Sequence, residues 1–155
     1  MRPLTAREEF ELVKALDREA DLACERYDTV RDSVGIKTAS LDNPLLTGGG
    51  VRRDITDVMP QLEKLKKRVE YAMDAYGDQK LRCLGFISRL SKQEYKEVLE
   101  RRYIWCANAT QVSVKMGKSY AHIMRMTKEA FEEIDKMIEH DRRCNNMQQH
   151  ARRKR

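Results

Sequence analysis

No stretch of the chain approaches the ~20 consecutive apolar residues that a membrane-spanning helix needs, so a membrane protein of that kind is not expected. The first ten residues, MRPLTAREEF, contain no apolar core of the sort that makes a secretion signal. Cysteine is sparse: Cys24, Cys83, Cys106 and Cys144 stand far apart and form no C-x-x-C pair, which argues against a zinc ribbon or a redox motif. A secreted disulfide scaffold would be smaller and denser in cysteine, so reduced thiols in a cytoplasm are the expectation. His122, His140 and His150 show no metal-ligand spacing with those cysteines or with each other. G-x-x-x-x-G-K-[ST], G-x-S-x-G and H-E-x-x-H are all missing, and Gly48-Gly49-Gly50 lacks the Lys-Ser/Thr that a phosphate loop requires. The chain therefore reads as a non-enzyme, with no catalytic residue, cofactor or metal. Aromatic residues are only 6% of it, so its core must be mainly aliphatic and methionine.

What the chain has in quantity is charge, 36% of its 155 residues, unevenly placed. Residues 1–89 hold 16 basic and 16 acidic side chains, whereas residues 90–155 hold 15 basic and 9 acidic ones, which supplies the whole net charge of +6. A basic end on a neutral body suits contact with a polyanion at that end, although a solvated basic tail would give the same numbers.

Apolar residues recur at helical spacing nearly throughout, which makes the fold all-α. Residues 1–34 read as one long amphipathic helix. Thr5 with Glu8 forms a capping-box signature. Val13, Leu16, Ala20, Ala23, Tyr27, Val30 and Val34 then follow at alternating steps of three and four, a heptad seam that Gly35 is expected to end. Residues 35–56 contain Asn43-Pro44 and the three glycines, and read either as a flexible linker or as a functional loop. A second seam runs through Ile55, Val58, Leu62, Leu65, Val69, Ala72, Tyr76, Cys83, Phe86 and Leu90, and residues 57–89 read as the long helix that carries it. Pro60 is tolerable there if Asp57 caps the helix and the proline falls in its first turn. Two such helices must bury their seams, either against each other as an antiparallel, coiled-coil-like hairpin or against a second copy as a homodimer.

Residues 90–141 divide into three shorter helices. Ser91 with Glu94 is a second capping-box signature, opening a helix with Tyr95, Val98, Leu99, Arg102 and Tyr103. Asn108 with Gln111 is a third, opening a short helix with Val112 and Met116 that Gly117 can end in the left-handed conformation. Ser119 then caps a helix with Ile123, Met126, Ala130, Ile134 and Met137 on one face. Trp105 is expected to pack against these helices. Residues 142–155 have no apolar periodicity and read as a disordered basic tail.

A short helix, a glycine-containing turn and a following helix is the outline of a helix-turn-helix. The run from Leu90 to Ile134 resembles region 4 of bacterial sigma factors, without a gap. The residues that carry the likeness are Leu90, Ser91, Glu94, Val98, Leu99, Arg102 and Tyr103, then Val112-Ser113, then Met116-Gly117-Lys118-Ser119, Ile123 and Ala130. Ser113 departs from the small apolar residue usual at its position. The general layout, and Ser119-Tyr120, Ile123, Arg125-Met126 and Ala130-Phe131 in particular, resembles small bacteriophage and prophage proteins, among them late-gene transcriptional regulators.

The resemblance implies a sequence-specific regulator of phage transcription, acting on double-stranded DNA in the cytoplasm of a bacterial host cell. It also implies RNA polymerase as a partner, and it brings no sign of other sigma factor regions. The helix from Ser119 would enter the major groove. Tyr120, Ala121, Met124, Arg125 and Lys128 would then face the bases, with Arg125 the strongest reader because a guanidinium can bond guanine O6 and N7 together. Thr110, Lys115, Lys118, Ser119 and His122 are placed for phosphate. Past its first half that helix turns acidic, with Glu129, Glu132, Glu133, Asp135 and Glu139 against Arg125, Lys128 and Lys136, which leaves a face for a protein partner. Two other readings use the same features: a DNA-packaging accessory of the small-terminase kind, and a coiled-coil adaptor that binds no DNA.

Overall fold

The computed structural model describes the backbone of residues 4–39 and 55–153, and the side chains of 4–33 and 58–147. It is all-α, with no strand among the described residues. Among the described residues five α-helices occur in order: α1 (Ala6–Ala39), α2 (Ile55–Ser88), α3 (Gln93–Leu99), α4 (Ala109–Met116) and α5 (Tyr120–Arg153), with a π-helical turn, Glu100–Ile104, continuing α3. Among the described residues no helix is long and apolar enough to cross a membrane.

Several boundaries differ from those the sequence suggests. The first helix does not stop at Gly35 but runs through it to Ala39. A glycine inside a helix costs only about 1 kcal/mol relative to alanine, and it ends one only where it turns left-handed. The second helix starts at Ile55 rather than at 57, so Pro60 lies inside it. Of the linker expected over 35–56, the two ends are thus helical and the remainder lies outside the described residues. The tail expected to be disordered from Arg142 onward is instead a continuation of α5 to Arg153. Its beginning is held by Arg89, whose Nη1 and Nη2 donate to Asp141 at 2.7 and 3.1 Å, and by an Arg143–Glu139 pair one turn apart.

The chain divides into two compact units. One comprises Met1–Lys14 and Asp78–Arg155, the other Ala15–Gly77. The larger unit holds most of the core. Ala6, Phe10 and Val13 of α1 and Cys83 and Ile87 of α2 are buried, together with Tyr95, Val98, Leu99, Tyr103, Val112, Ile123, Met126, Ala130 and Ile134 from the later helices. At its centre Phe10, Tyr103 and Phe131 stack edge-on or tilted, with all three centroid separations 5.5 Å. Such aromatic trios add about 0.5–1.5 kcal/mol per pair beyond area burial. Beside them Glu9, 4% exposed, is buried on α1 with its charge met by α2. Arg82 Nη2 donates to Glu9 Oε1 at 2.8 Å and Gln79 Nε2 to Oε2 at 2.7 Å. The neighbouring Cys83 thiol is pushed up to about 12, first by burial and then by the Glu9 charge.

In the smaller unit the seam residues are less well covered. Ala20, Val58 and Ala72 are buried there, while Leu22, Met59, Tyr71 and Met73 are exposed. Leu22, Glu25, Arg26, Thr29, Val30, Gln61 and Leu65 line an open groove of about 520 Å³.

Candidate nucleic-acid interface

The candidate site is built by α4, the turn after it and the first turns of α5. Asn108 caps α4 as its spacing predicts: Gln111 N donates to Asn108 Oδ1 at 2.8 Å, and Asn108 N donates to Gln111 Oε1 at 3.0 Å. The helix ends at Gly117, whose φ of 62° and ψ of 31° are left-handed. That turn lets Lys118 N reach Ser113 O at 3.0 Å and Gly117 N reach Val114 O at 3.3 Å, satisfying carbonyls the helix would leave bare. Ser119 then starts α5, its Oγ accepting from His122 N at 3.3 Å and its carbonyl from Ile123 N at 3.0 Å.

Upstream, the α3 cap differs from expectation. Ser91 and Glu94 form no capping box; Lys92 is the N-cap residue and no side chain caps it. Ser91 instead donates from N and Oγ to the two Glu133 oxygens at 2.7 and 2.9 Å. Glu94 accepts from Lys118 Nζ at 2.5 Å, and that hydrogen bond, reinforced by the ammonium charge, holds its carboxyl below the usual carboxylate range. The π-helical turn leads into Trp105 and Cys106, which has a φ of 52° in the left-handed region. Trp105 is not packed against the motif as expected: it is 60% exposed, with the Arg101 guanidinium 5.4 Å from its ring centre. Its position just past the π-helical turn carries it out of the core, and no local spacing rule would have flagged that.

The orientation of α5 follows from its apolar spacing. Ile123, Met126, Ala130 and Ile134 are buried, Thr127 is buried with Oγ1 donating to Ile123 O at 2.8 Å, and Arg102 Nη1 donates to Thr127 Oγ1 at 2.9 Å. That inner face leaves Tyr120, Ala121, Met124, Arg125 and Lys128 exposed together on the outside. Of the expected phosphate residues, Thr110, Lys115 and Ser119 are exposed, His122 is half-buried, and Lys118 is tied to Glu94. Arg125 has local partners: Nη2 lies 2.7 Å from His122 Nδ1, and Nε lies 3.9 Å from Glu129. Lys128 sits 3.8 Å from Glu132. Val114, 77% exposed, adds an apolar spot on α4 that the sequence reading did not single out.

The acidic residues of α5, read from sequence as an open face, are largely consumed by the fold. Glu129 accepts from Tyr95 Oη at 2.5 Å, Glu133 holds Ser91, and Asp135 Oδ1 accepts from Ala6 N at 2.6 Å. The last of these satisfies the first N–H of α1 and sets a negative charge at its positive end. Sequence spacing missed these contacts because their partners lie on distant segments of the chain.

Neither the curated proteins nor the solved structures offer a significant match to the chain. A family described as "Protein of unknown function (DUF1492)" matches residues 39–147, a span that takes in all of α2, α3 and α4 and α5 as far as Met147. The chain belongs to this DUF1492 family.

Proposed function

We propose that the protein binds double-stranded DNA sequence-specifically and regulates transcription of phage genes, placing the start of α5 in the major groove. The observation that carries the reading is the split of α5's first turns. Ile123 and Met126 are buried, while Tyr120, Ala121, Met124, Arg125 and Lys128 stand exposed beyond a helix ended by a left-handed glycine. A helix presented in this way fits the major groove, its N-terminal residues reaching base edges. The positive end of its dipole, together with Lys115 and Ser119, favours phosphate.

Two features are consistent with the acidity of α5. Its carboxylates at 129, 133 and 135 are bonded within the protein, and those at 133 and 135 lie more than a turn beyond Lys128. The sequence likeness to sigma factor region 4 supports RNA polymerase as a further partner, and the likeness to phage regulators supports the setting.

The test is selection of bound fragments from random or phage DNA, followed by anisotropy titrations on the selected site and on scrambled duplex. Arg125→Ala should weaken the selected site by about 1–3 kcal/mol and relax its sequence preference. Lys115→Ala should weaken all duplexes alike and flatten the salt slope by about one unit. Binding unaffected by either change and insensitive to salt would end the proposal.

A further inference from the structure

The smaller unit has a shortage of cover and an imbalance of charge. Among the described residues its two helical stretches fully bury only alanines and Val58, while Leu62, Leu65, Val69, Tyr27 and Val30 are half-covered and Leu22 is exposed at the groove. Helices of this length draw their stability from packing an apolar face, so a seam left half open is a surface short of a partner.

Charge indicates what that partner is. On α1, Asp17, Asp21, Glu25, Asp28 and Asp32 recur at steps of four, four, three and four, which puts them in one row beside Leu22 and Thr29 of the groove. Like charges at that spacing repel unless a cationic row meets them. On α2, Lys64, Lys67 and Arg68 occupy a matching basic row beside Gln61 and Leu65 of the same groove. Asp28 and Asp32 are both met by Arg31 and Lys67 lies 3.9 Å from Glu63, each inside its own helix, whereas Asp21, Glu25, Lys64 and Arg68 have no ion pair among the described residues.

We propose that a second copy of this chain occupies the groove, with α1 of each copy lying along α2 of the other in a four-helix arrangement. A two-fold axis makes the match twice over, acidic row on basic row in both directions, and closes the half-open seams against one another. The opposite arrangement, α1 on α1, would set two acidic rows together. This pairing does not depend on DNA binding, so its failure leaves that reading where it stands.

Sedimentation equilibrium of the full chain at low micromolar concentration should return twice the mass of the chain. Asp21→Lys/Glu25→Lys and Lys64→Glu/Arg68→Glu should each weaken self-association by more than tenfold, and an equimolar mixture of the two variants should recover a dimer. Only a contact between chains can produce that recovery. Monomer at 100 μM for the unaltered chain overturns the proposal, independently of whether any variant folds. So does a dimer indifferent to both charge reversals. Recovery by neither partner in the mixture, with helical content by circular dichroism intact, also overturns it.

Discussion

Replacing Gly117 by alanine isolates the backbone of the turn from everything packed around it. The residue sits at φ 62°, where a side chain at Cβ crowds its own carbonyl, and the cost of that conformation for an L-residue is about 1–2 kcal/mol. Nothing lies within 4 Å of where the new Cβ would be, so no steric charge is added to this figure. Alanine also loses less backbone freedom on folding than glycine, which returns about 0.4–1 kcal/mol. The net expectation is a loss of about 1 kcal/mol for Gly117→Ala and roughly half of that for Gly117→Asn, because asparagine tolerates the left-handed region. Urea denaturation followed by circular dichroism would measure both; for a chain of this size the alanine loss corresponds to about 2–4 °C in Tm. DNA affinity of the folded alanine variant should stay within about twofold, since the turn keeps its shape. A loss above ~3 kcal/mol would mean that the α4–α5 crossing is tighter than the open space at Gly117 implies. Asparagine no better than alanine would show that the turn is not left-handed in solution.

Phe10→Ala should cost about 3–5 kcal/mol, since the ring is fully buried between Tyr103 and Phe131; a loss under ~2 kcal/mol in the same denaturation assay would mean that the start of α1 is not seated there. Glu129→Gln keeps an acceptor for Tyr95 Oη while removing the charge beside Arg125, so DNA affinity at low salt should rise up to about fivefold, the scale of an exposed ion pair; a fall in affinity would contradict this. Cys83 has a folded-state value of about 12 against an ordinary 9.0, so its contribution to stability is whole below pH 9 and is lost as pH rises toward 12. In native protein at pH 8.5 it should react with a disulfide reagent far more slowly than the exposed Cys106; equal rates would refute the burial.

Local chemistry was legible in the sequence where both partners lie within a turn of each other. Asn108 with Gln111, Gly117, Ser119, and the i, i+3, i+4 spacing of Ile123, Met126, Ala130 and Ile134 all fall in this class, and each takes the conformation its spacing implies. What spacing could not convey was competition from afar. Ser91 has a textual partner in Glu94, yet Glu133, 42 positions on, takes its hydrogen bonds, while Glu94 goes to Lys118. Asp135 looks like a surplus surface charge until Ala6, 129 positions away, is seen to donate to it. The helical tail is hidden from the sequence for a related reason: it lacks an apolar period, but a helix already in progress extends at little cost, whereas starting one is expensive. The outward face of α5 was legible from the same period that buries its inner face. Arg125's engagement with His122 and Glu129 was only half legible, because an i, i+4 acid suggests itself while a histidine acceptor does not.

The unbroken course of α5 makes it a splint. From Tyr120 to the carboxylate gripped by Arg89 at Asp141, the helix covers about 32 Å at about 1.5 Å per residue. Ile123, Met126, Ala130 and Ile134 are buried along that length, so the rod is fixed at several points between its ends. The cap at Ser119 and the Arg89–Asp141 ion pair are therefore kept in one register by a single helix, and fraying at either end stops where that buried face begins.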